Sequence, residues 1–417
     1  MGETSCDDHD VISNLPDELL CSIISLIPAK EAVATTTLST RWSHLWRSVS
    51  RLDFDPKKPD TDEFIRLKII EHVVSSQRAN VTSCRITHSP EDWSSGELSA
   101  LIDRLKAIED LGLTMRKYFR GTELPASAFR SQTLRVLELT RYQLVEESVV
   151  AFEGCVNLTT LKLNRVKFSA PDLVSKIISN CGFLENLSVI SCIGLNDLKI
   201  YDQRLKFLEL RNLNLLKMDI CAKGITVLVL DEVDFYQSKR FYIHCPSLTV
   251  FRVYCKCFTN SEILERCCGL VANRYSRERD LPYHGSKFWG KAELSDCITH
   301  KLRVVWIRGF AGKEREMRFA SHLINYATML QKIVIQCDDK CSPEGVVTTK
   351  GLLSLSKASR NAFVILKPER LFTTKVEIKV EVDDHFEHSS DSECGNLPPT
   401  KGSRTQLSNN PKKQKTM

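Results

Sequence analysis

From about residue 80 onward the chain repeats one short pattern, an apolar residue followed three positions later by an apolar–x–apolar pair. Clear copies are Leu134-Leu137-Leu139, Leu158-Leu161-Leu163 and Leu184-Leu187-Val189. They continue as Leu195-Leu198-Ile200, Leu205-Leu208-Leu210, Leu215-Met218-Ile220, Ile225-Leu228-Leu230 and Leu248-Phe251-Val253, with Ile108-Leu111-Leu113 and Val81-Cys84-Ile86 extending the series backward. Side chains alternate between the faces of a strand, so each close-spaced pair marks a short strand with both members turned inward. The earlier residue marks the turn that enters it. Hairpins would instead favour strict alternation and Asn-Gly-type turns, and few of these occur. The pattern predicts stacked coils that share one parallel sheet, the signature of a leucine-rich-repeat solenoid.

The period is uneven. Between the middle residues of the blocks the steps are 26, 24 and 26 through Leu111, Leu137, Leu161 and Leu187, then 11, 10, 10 and 10 through Leu198, Leu208, Met218 and Leu228, and 23 at Phe251. About 24 residues hold a strand and a short helix. Ser169–Cys181, with Leu173, Val174, Ile177 and Ile178, has the spacing of such a helix. Ten residues hold only strand, turn and strand, so residues 184–230 are expected to form thin coils without helices and a sharp local change in curvature. The residue between each inward pair must face outward. Those residues are Glu138, Lys162, Ser188, Lys199, Glu209, Asp219, Val229 and Arg252, read here as one ladder on a single face. Their mixed charge suits a protein ligand better than a phosphate backbone. Glu138, Lys162, Lys199, Glu209, Asp219 and Arg252 are the candidate target-binding residues.

Ahead of the repeats, Val11 to Asp55 reads as three short helices with more apolar surface than they can bury among themselves. Pro16 stands where a helix begins without losing a needed donor, and Asp17 and Glu18 occupy the positive first turn. Leu19, Leu20, Ile23, Ile24 and Ile27 recur at helical spacing until Pro28, and Leu38, Trp42, Leu45, Trp46 and Val49 form a second stripe. So small a unit needs a partner to cover its surplus.

These residues resemble an F-box: the Leu15-Pro16-Asp17-Glu18 opening, the Leu19-Leu20…Ile23-Ile24 spacing and the Leu38-Ser39…Arg41-Trp42…Leu45-Trp46 close all fit that motif. They are most similar to plant F-box proteins with leucine-rich repeats, in which Pro28…Lys30-Glu31-Ala32-Val33 and the Leu52-Asp53-Phe54 exit also occur. The resemblance implies docking on the Skp-type adaptor of a cullin–RING ubiquitin ligase, with the repeats holding an unknown target protein. Leu15, Pro16, Leu19, Leu20, Ile23, Ile24 and Trp42 are the implied adaptor-binding residues. The sequence does not separate those that touch the adaptor from those that hold the helices together.

Residues 254–301 break the pattern, mixing Arg274, Arg277, Arg279, Lys287 and Lys291 with Tyr275, Tyr283, Phe288 and Trp289. Interleaved basic and aromatic residues suit single-stranded nucleic acid, but Glu278 and Asp280 dilute the charge, and an irregular surface insertion is the preferred reading. Order resumes at Leu302-Val305-Ile307. A Gly309…Gly312 turn, a helix bearing Met317, Ala320, Leu323, Ile324 and Ala327, and the strand Leu330-Ile333-Ile335 then make a β-α-β unit. This stretch resembles the FBD element of plant F-box proteins, with Leu352-Leu353…Ser359-Arg360-Asn361 and Ala362–Leu366 as its ending. The insertion leaves open whether that unit stacks directly on the last repeat.

The expected fold is therefore α/β, a three-helix F-box followed by an arc-shaped solenoid on a parallel sheet and an FBD-like unit. The expected organisation is a disordered 1–10, an F-box over 11–55, a helical linker over 56–80 and repeats over 81–253. The insertion 254–301, the FBD-like unit 302–370 and a disordered polar tail 371–417 complete it.

A net charge of +6 spread along the chain does not demand nucleic acid. No run approaches the roughly 18 apolar residues that span a bilayer. MGETSCDDHD lacks the basic start and apolar core of a secretory signal, so cytoplasm or nucleus is the expected location. The sixteen cysteines fall largely in repeat positions and read as reduced thiols. Cys255, Cys257, Cys267 and Cys268, or Cys337 and Cys341, lack the paired spacing and histidines of a zinc site. No GxSxG, HExxH or phosphate-cradling Gly-Lys loop occurs, so neither catalysis nor a cofactor is expected.

Overall fold

A computed structural model describes residues 12, 14–54, 63–89, 95–116, 124, 129, 131–234, 240–254, 296–338 and 341–367. All lie within one compact unit, Met1–Arg370. The expected disordered ends 1–10 and 371–417, the cysteines from Cys255 to Cys268 and the basic-aromatic stretch from Arg274 to Lys291 lie outside the described residues.

Three short helices open the chain, α1 Asp17–Ile24, α2 Ala29–Ala34 and α3 Trp42–Leu45, and lead into strand β1 Arg51–Phe54. Helix α4 Glu63–Ser75, strand β2 Ser83–His88, helix α5 Ser95–Asp103 and strand β3 Asp110–Met115 follow. Next come β4 Val136–Thr140, β5 Gln143–Leu144, a helix Glu146–Ala151, β6 Thr160–Asn164, β7 Lys167–Phe168, a helix Leu173–Asn180 and β8 Asn186–Ile190. Six strands then run without a described helix between them: β9 Asp197–Ile200, β10 Phe207–Asn214, β11 Lys217–Cys221, β12 Val227–Asp234, β13 Arg240–His244 and β14 Val250–Tyr254. The carboxy-terminal part adds β15 Val304–Phe310, a helix Glu314–Tyr326, β16 Lys332–Cys337, a helix Pro343–Lys350 and β17 Phe363–Lys367.

The main sheet has twelve strands in the order β1-β2-β3-β4-β6-β8-β10-β12-β14-β15-β16-β17, and every neighbouring pair is parallel. Parallel neighbours require the chain to cross back between them. In the long coils helices make that return: α4 between β1 and β2, α5 between β2 and β3, and Leu173–Asn180 between β6 and β8. The predicted inward pairs, such as Leu111 and Leu113 or Leu161 and Leu163, are buried throughout. So are Leu173, Val174, Ile177 and Ile178 of the helix expected over Ser169–Cys181. Each fully buried leucine contributes about 1.5–3 kcal/mol, and one continuous core cluster runs from Leu20 to Ala362.

The ten-residue steps resolve differently from the single ladder read in the sequence. Strands β9, β11 and β13 leave the main sheet and form a second parallel sheet in the order β13-β11-β9. Main-sheet strands therefore follow at Leu187, Leu208, Leu228 and Phe251, steps of 21, 20 and 23 residues. A coil this short has no room for a helix, so its return run is extended. Stacked return runs then pair their backbone groups with one another. Lys199 and Asp219 sit on this second sheet, paired with each other in register, and do not belong to the ladder of Glu138, Lys162, Ser188, Glu209, Val229 and Arg252.

Two backbone devices recur from coil to coil. At strand entry, one carbonyl of a coil accepts two successive N–H groups of the next: Glu109 from Arg135 and Val136, Arg135 from Thr159 and Thr160, Thr226 from Thr249 and Val250. At or near strand exit, Arg141, Arg165, Ser191, Asn212 and Glu232 all have positive φ, between 48° and 63°. The first device continues across the insertion, since Thr249 accepts from Arg303 and Val304, and Arg303 from Gln331 and Lys332. Val250, Arg252 and Tyr254 pair with Val304, Trp306 and Arg308. The carboxy-terminal unit thus stacks directly on the last repeat strand, which answers the question the sequence left open.

Candidate docking and target surfaces

Helix α1 begins at Pro16, whose extended φ and ψ of −58° and 152° lead into the acidic pair Asp17 and Glu18. Arg41 anchors this start to the segment before α3. Its guanidinium pairs with Asp17 at 2.6 Å and donates to the Leu15 carbonyl at 2.5 Å. The Cys21 thiol donates to the Leu45 carbonyl at 3.6 Å, and the Ser50 N–H donates to the Ser25 hydroxyl at 3.3 Å. These bonds hold the helices against the entry to β1.

Burial sorts the seven implied adaptor-binding residues. Leu20 and Ile24, on the inward face of α1, are 0% and 1% exposed, and Trp42 is buried with Leu45 and Trp46. Leu15 is partly buried against the same core. The assignment of Leu20, Ile24 and Trp42 to an adaptor surface is corrected by this burial, because they are spent on this chain's own packing. Leu19 and Ile23 are 51% and 46% exposed, and Pro16 is exposed beside them. Leu26, 79% exposed, continues their row. Positions 16, 19, 23 and 26 follow the three–four spacing of one helix face. Leu26 and the exposed Ile12 were not singled out in the sequence, and Leu38, also exposed, was read as part of the motif's closing stripe but not as an adaptor-binding residue. The signal for Leu26 was present, since it lies seven residues beyond Leu19.

The six candidate target-binding residues meet different fates. Glu138 on β4 lies 3.6 Å from Arg85, which also holds Asp110 at 3.0 Å. Glu209 on β10 is buried, accepts from the Ser188 hydroxyl at 2.8 Å and pairs with Arg211 at 2.6 Å. Asp219 is buried on the second sheet and accepts from the Tyr201 hydroxyl at 2.8 Å. Neither Glu209 nor Asp219 is free to meet a partner, which corrects their assignment. Lys199 is exposed on the second sheet, away from the main ladder, and Lys162 is half-buried within it. Arg252 is half-buried, with its guanidinium 6.0 Å from the Trp306 ring centre. Trp306 itself was missed, although it lies between the inward Val305 and Ile307 and the same rule would have found it.

No helix among the described residues is long and apolar enough to cross a membrane. Nor do three or more His, Cys, Asp or Glu residues among them gather where a metal ion could be held.

Three family models match the chain: the F-box domain over residues 12–54, the leucine-rich repeats of the FBD-associated F-box protein At5g56370 over 101–264, and FBD over 293–335. Among curated proteins the chain is similar to three from Arabidopsis thaliana. It is 24% identical to F-box protein At1g80960 over 80% of this chain and 86% of that protein. It is 32% identical to the putative F-box/FBD/LRR-repeat protein At4g00315 over 43% of this chain and 42% of that one, and 30% identical to F-box protein At5g03100 over 50% and 63%. The chain thus spans most of the first relative and only part of the other two. With its amino-terminal helices, parallel repeat sheet and final β-α-β unit each matched in chain order, the chain belongs to the plant F-box proteins that carry leucine-rich repeats and an FBD element.

Proposed function

We propose that this chain is the substrate-recognition subunit of an SCF-type ubiquitin ligase, working in the cytoplasm or nucleus without an active site of its own. The observation that carries the reading is the division of α1. Leu20 and Ile24 are committed to the core, while Pro16, Leu19, Ile23 and Leu26 leave an apolar row open. A Skp-type adaptor would cover that row, each buried side chain contributing about 1.5–3 kcal/mol. The main sheet would hold the target, a protein rather than a nucleic acid. Catalysis would come from proximity, the target lysine being kept near a ubiquitin-charged enzyme bound elsewhere in the assembly.

The test is affinity capture from plant cells of the wild-type chain and a Leu19→Asp, Ile23→Asp double variant. Adaptor and cullin are expected with the wild type and absent from the variant. Equal recovery of both from a folded variant defeats the reading.

A second reading, a non-degradative leucine-rich-repeat scaffold that binds a protein or RNA partner and whose helices only close the end of the solenoid, has one observation in its favour. Leu45, Trp46 and Val49 share the core of β1 and β2, and the Arg78 N–H donates to the Arg47 carbonyl at 2.7 Å. Under this reading the exposed row is dispensable and the double variant behaves as wild type.

A further inference from the structure

Three cations converge on one indole at the outer face of β14–β17. Across the register Arg252, Trp306, Val334 and Ile365 lie side by side. The Trp306 ring centre has Arg252 at 6.0 Å, Lys332 at 5.8 Å and Lys367 at 5.6 Å. These cations come from β14, β16 and β17, so three separate strands supply them. The carboxylates on this part of the face are already engaged: Glu209 by Arg211 at 2.6 Å, and Asp231 by Arg211 at 3.7 Å and Arg308 at 3.1 Å. Among the described residues no carboxylate pairs with Arg252, Lys332 or Lys367. Arg252 Nε is buried with no acceptor. Burial first, and neighbouring Arg211 second, lower the pKa of this arginine.

The other end of the same face is balanced. Arg85 lies across Gly112, whose missing side chain leaves room for it, and reaches Asp110 and Glu138. Cation–π attraction holds a cation near a ring. Glu209 offsets the charge of Arg252 in part, but with no ion pair on Arg252, Lys332 or Lys367 among the described residues the three cations leave a local positive potential that draws anions. Val229, Val304 and Val334 are buried on this same outward side.

We propose that the Trp306 cluster receives an extended acidic segment of a protein partner, with carboxylates on Arg252, Lys332 and Lys367 and an apolar side chain against the indole. Charged hydrogen bonds of this kind are the strong ones. The proposal rests on the reading that the main sheet holds a target, and it names what that target presents. Glu209 and Asp231, engaged by Arg211 and Arg308, confine the unpaired positive charge to one local cluster, which suits a short acidic protein segment better than a continuous phosphate backbone.

The experiment measures fluorescence anisotropy of a labelled peptide alternating Glu and Leu, with the full-length chain, beside an otherwise identical Gln-Leu peptide and a labelled oligodeoxythymidine. The Glu peptide is expected to bind at least tenfold more tightly than the Gln peptide and to weaken with added salt. It is expected to lose at least tenfold in a Lys332→Glu, Lys367→Glu variant, whereas Lys106→Glu, an exposed change elsewhere, leaves it unaltered. Equal binding of the two peptides, or no change on charge reversal, overturns the proposal. So does an oligonucleotide that binds more tightly than the Glu peptide and is lost in the same variant. Adaptor binding measured on these variants separates the two levels: it stays intact when only the acidic preference fails, and its absence from wild type counts against the ligase reading instead.

Discussion

On helix α1 neighbouring side chains do opposite work, and substitutions there should separate cleanly. Leu20→Ala removes a fully buried side chain and should cost about 2–5 kcal/mol in chemical denaturation. Leu19→Asp should leave stability within about 0.5 kcal/mol, because exposed sites tolerate change. At Gly194, φ is +82° and an added Cβ would lie 2.2 Å from the Phe168 carbonyl oxygen. Gly194→Ala should therefore destabilise by about 2 kcal/mol or more. His88 is buried against the Tyr142 hydroxyl, and burial, with Arg66 nearby, lowers its pKa to about 4. The unfolded imidazole takes its proton near pH 6.5, so the unfolded chain binds more protons between these values. Stability should be full above about pH 6.5 and fall as pH drops toward 4, by on the order of 3 kcal/mol, and a His88→Gln variant should lose that dependence. None of these distinctions is visible in residue type alone. Leu19 and Leu20 are the same amino acid, and only the position of the neighbouring elements says which faces inward.

The repeated elements were the most legible part of the chain. The spacing located each inward pair from Leu111 to Phe251, because a strand that buries one face must alternate. It did not say which sheet a strand joins. In both sheets the inward residues are two apart, so Leu198–Ile200 on β9 looks identical to Leu208–Leu210 on β10. The clue was numerical: two ten-residue steps together approach the length of one helical coil. The bend after each main strand was not legible either. Asparagine tolerates positive φ, but Arg165 and Glu232 are held there by the register of neighbouring coils, the Arg165 N–H donating to the Ile190 carbonyl at 2.8 Å. A left-handed conformation costs such a residue about 1–2 kcal/mol, partly offset by glycine's greater freedom when unfolded. Arg165→Gly, at an exposed site, should raise stability by about 0.5 kcal/mol, read as a shift in denaturation midpoint at constant slope.

For the whole molecule, the amino-terminal helices serve as lid to the solenoid core and as open apolar row at once. Trp46 and Val49 share a core with Leu52 and Cys84, so removing residues 1–50 would expose that core whatever the helices bind. Truncation cannot distinguish cap from docking module, whereas changes confined to Leu19 and Ile23 can. The motif was legible because several fixed positions follow one another in order, and its inward half became the lid. The outward half is what the account depends on. Titration calorimetry of the purified chain with a purified Skp-type adaptor measures it most directly. The account predicts a one-to-one complex whose affinity drops at least a hundredfold in the Leu19→Asp, Ile23→Asp variant while its unfolding midpoint stays unchanged. Binding of equal strength in the two proteins, or none in the wild type, would contradict it.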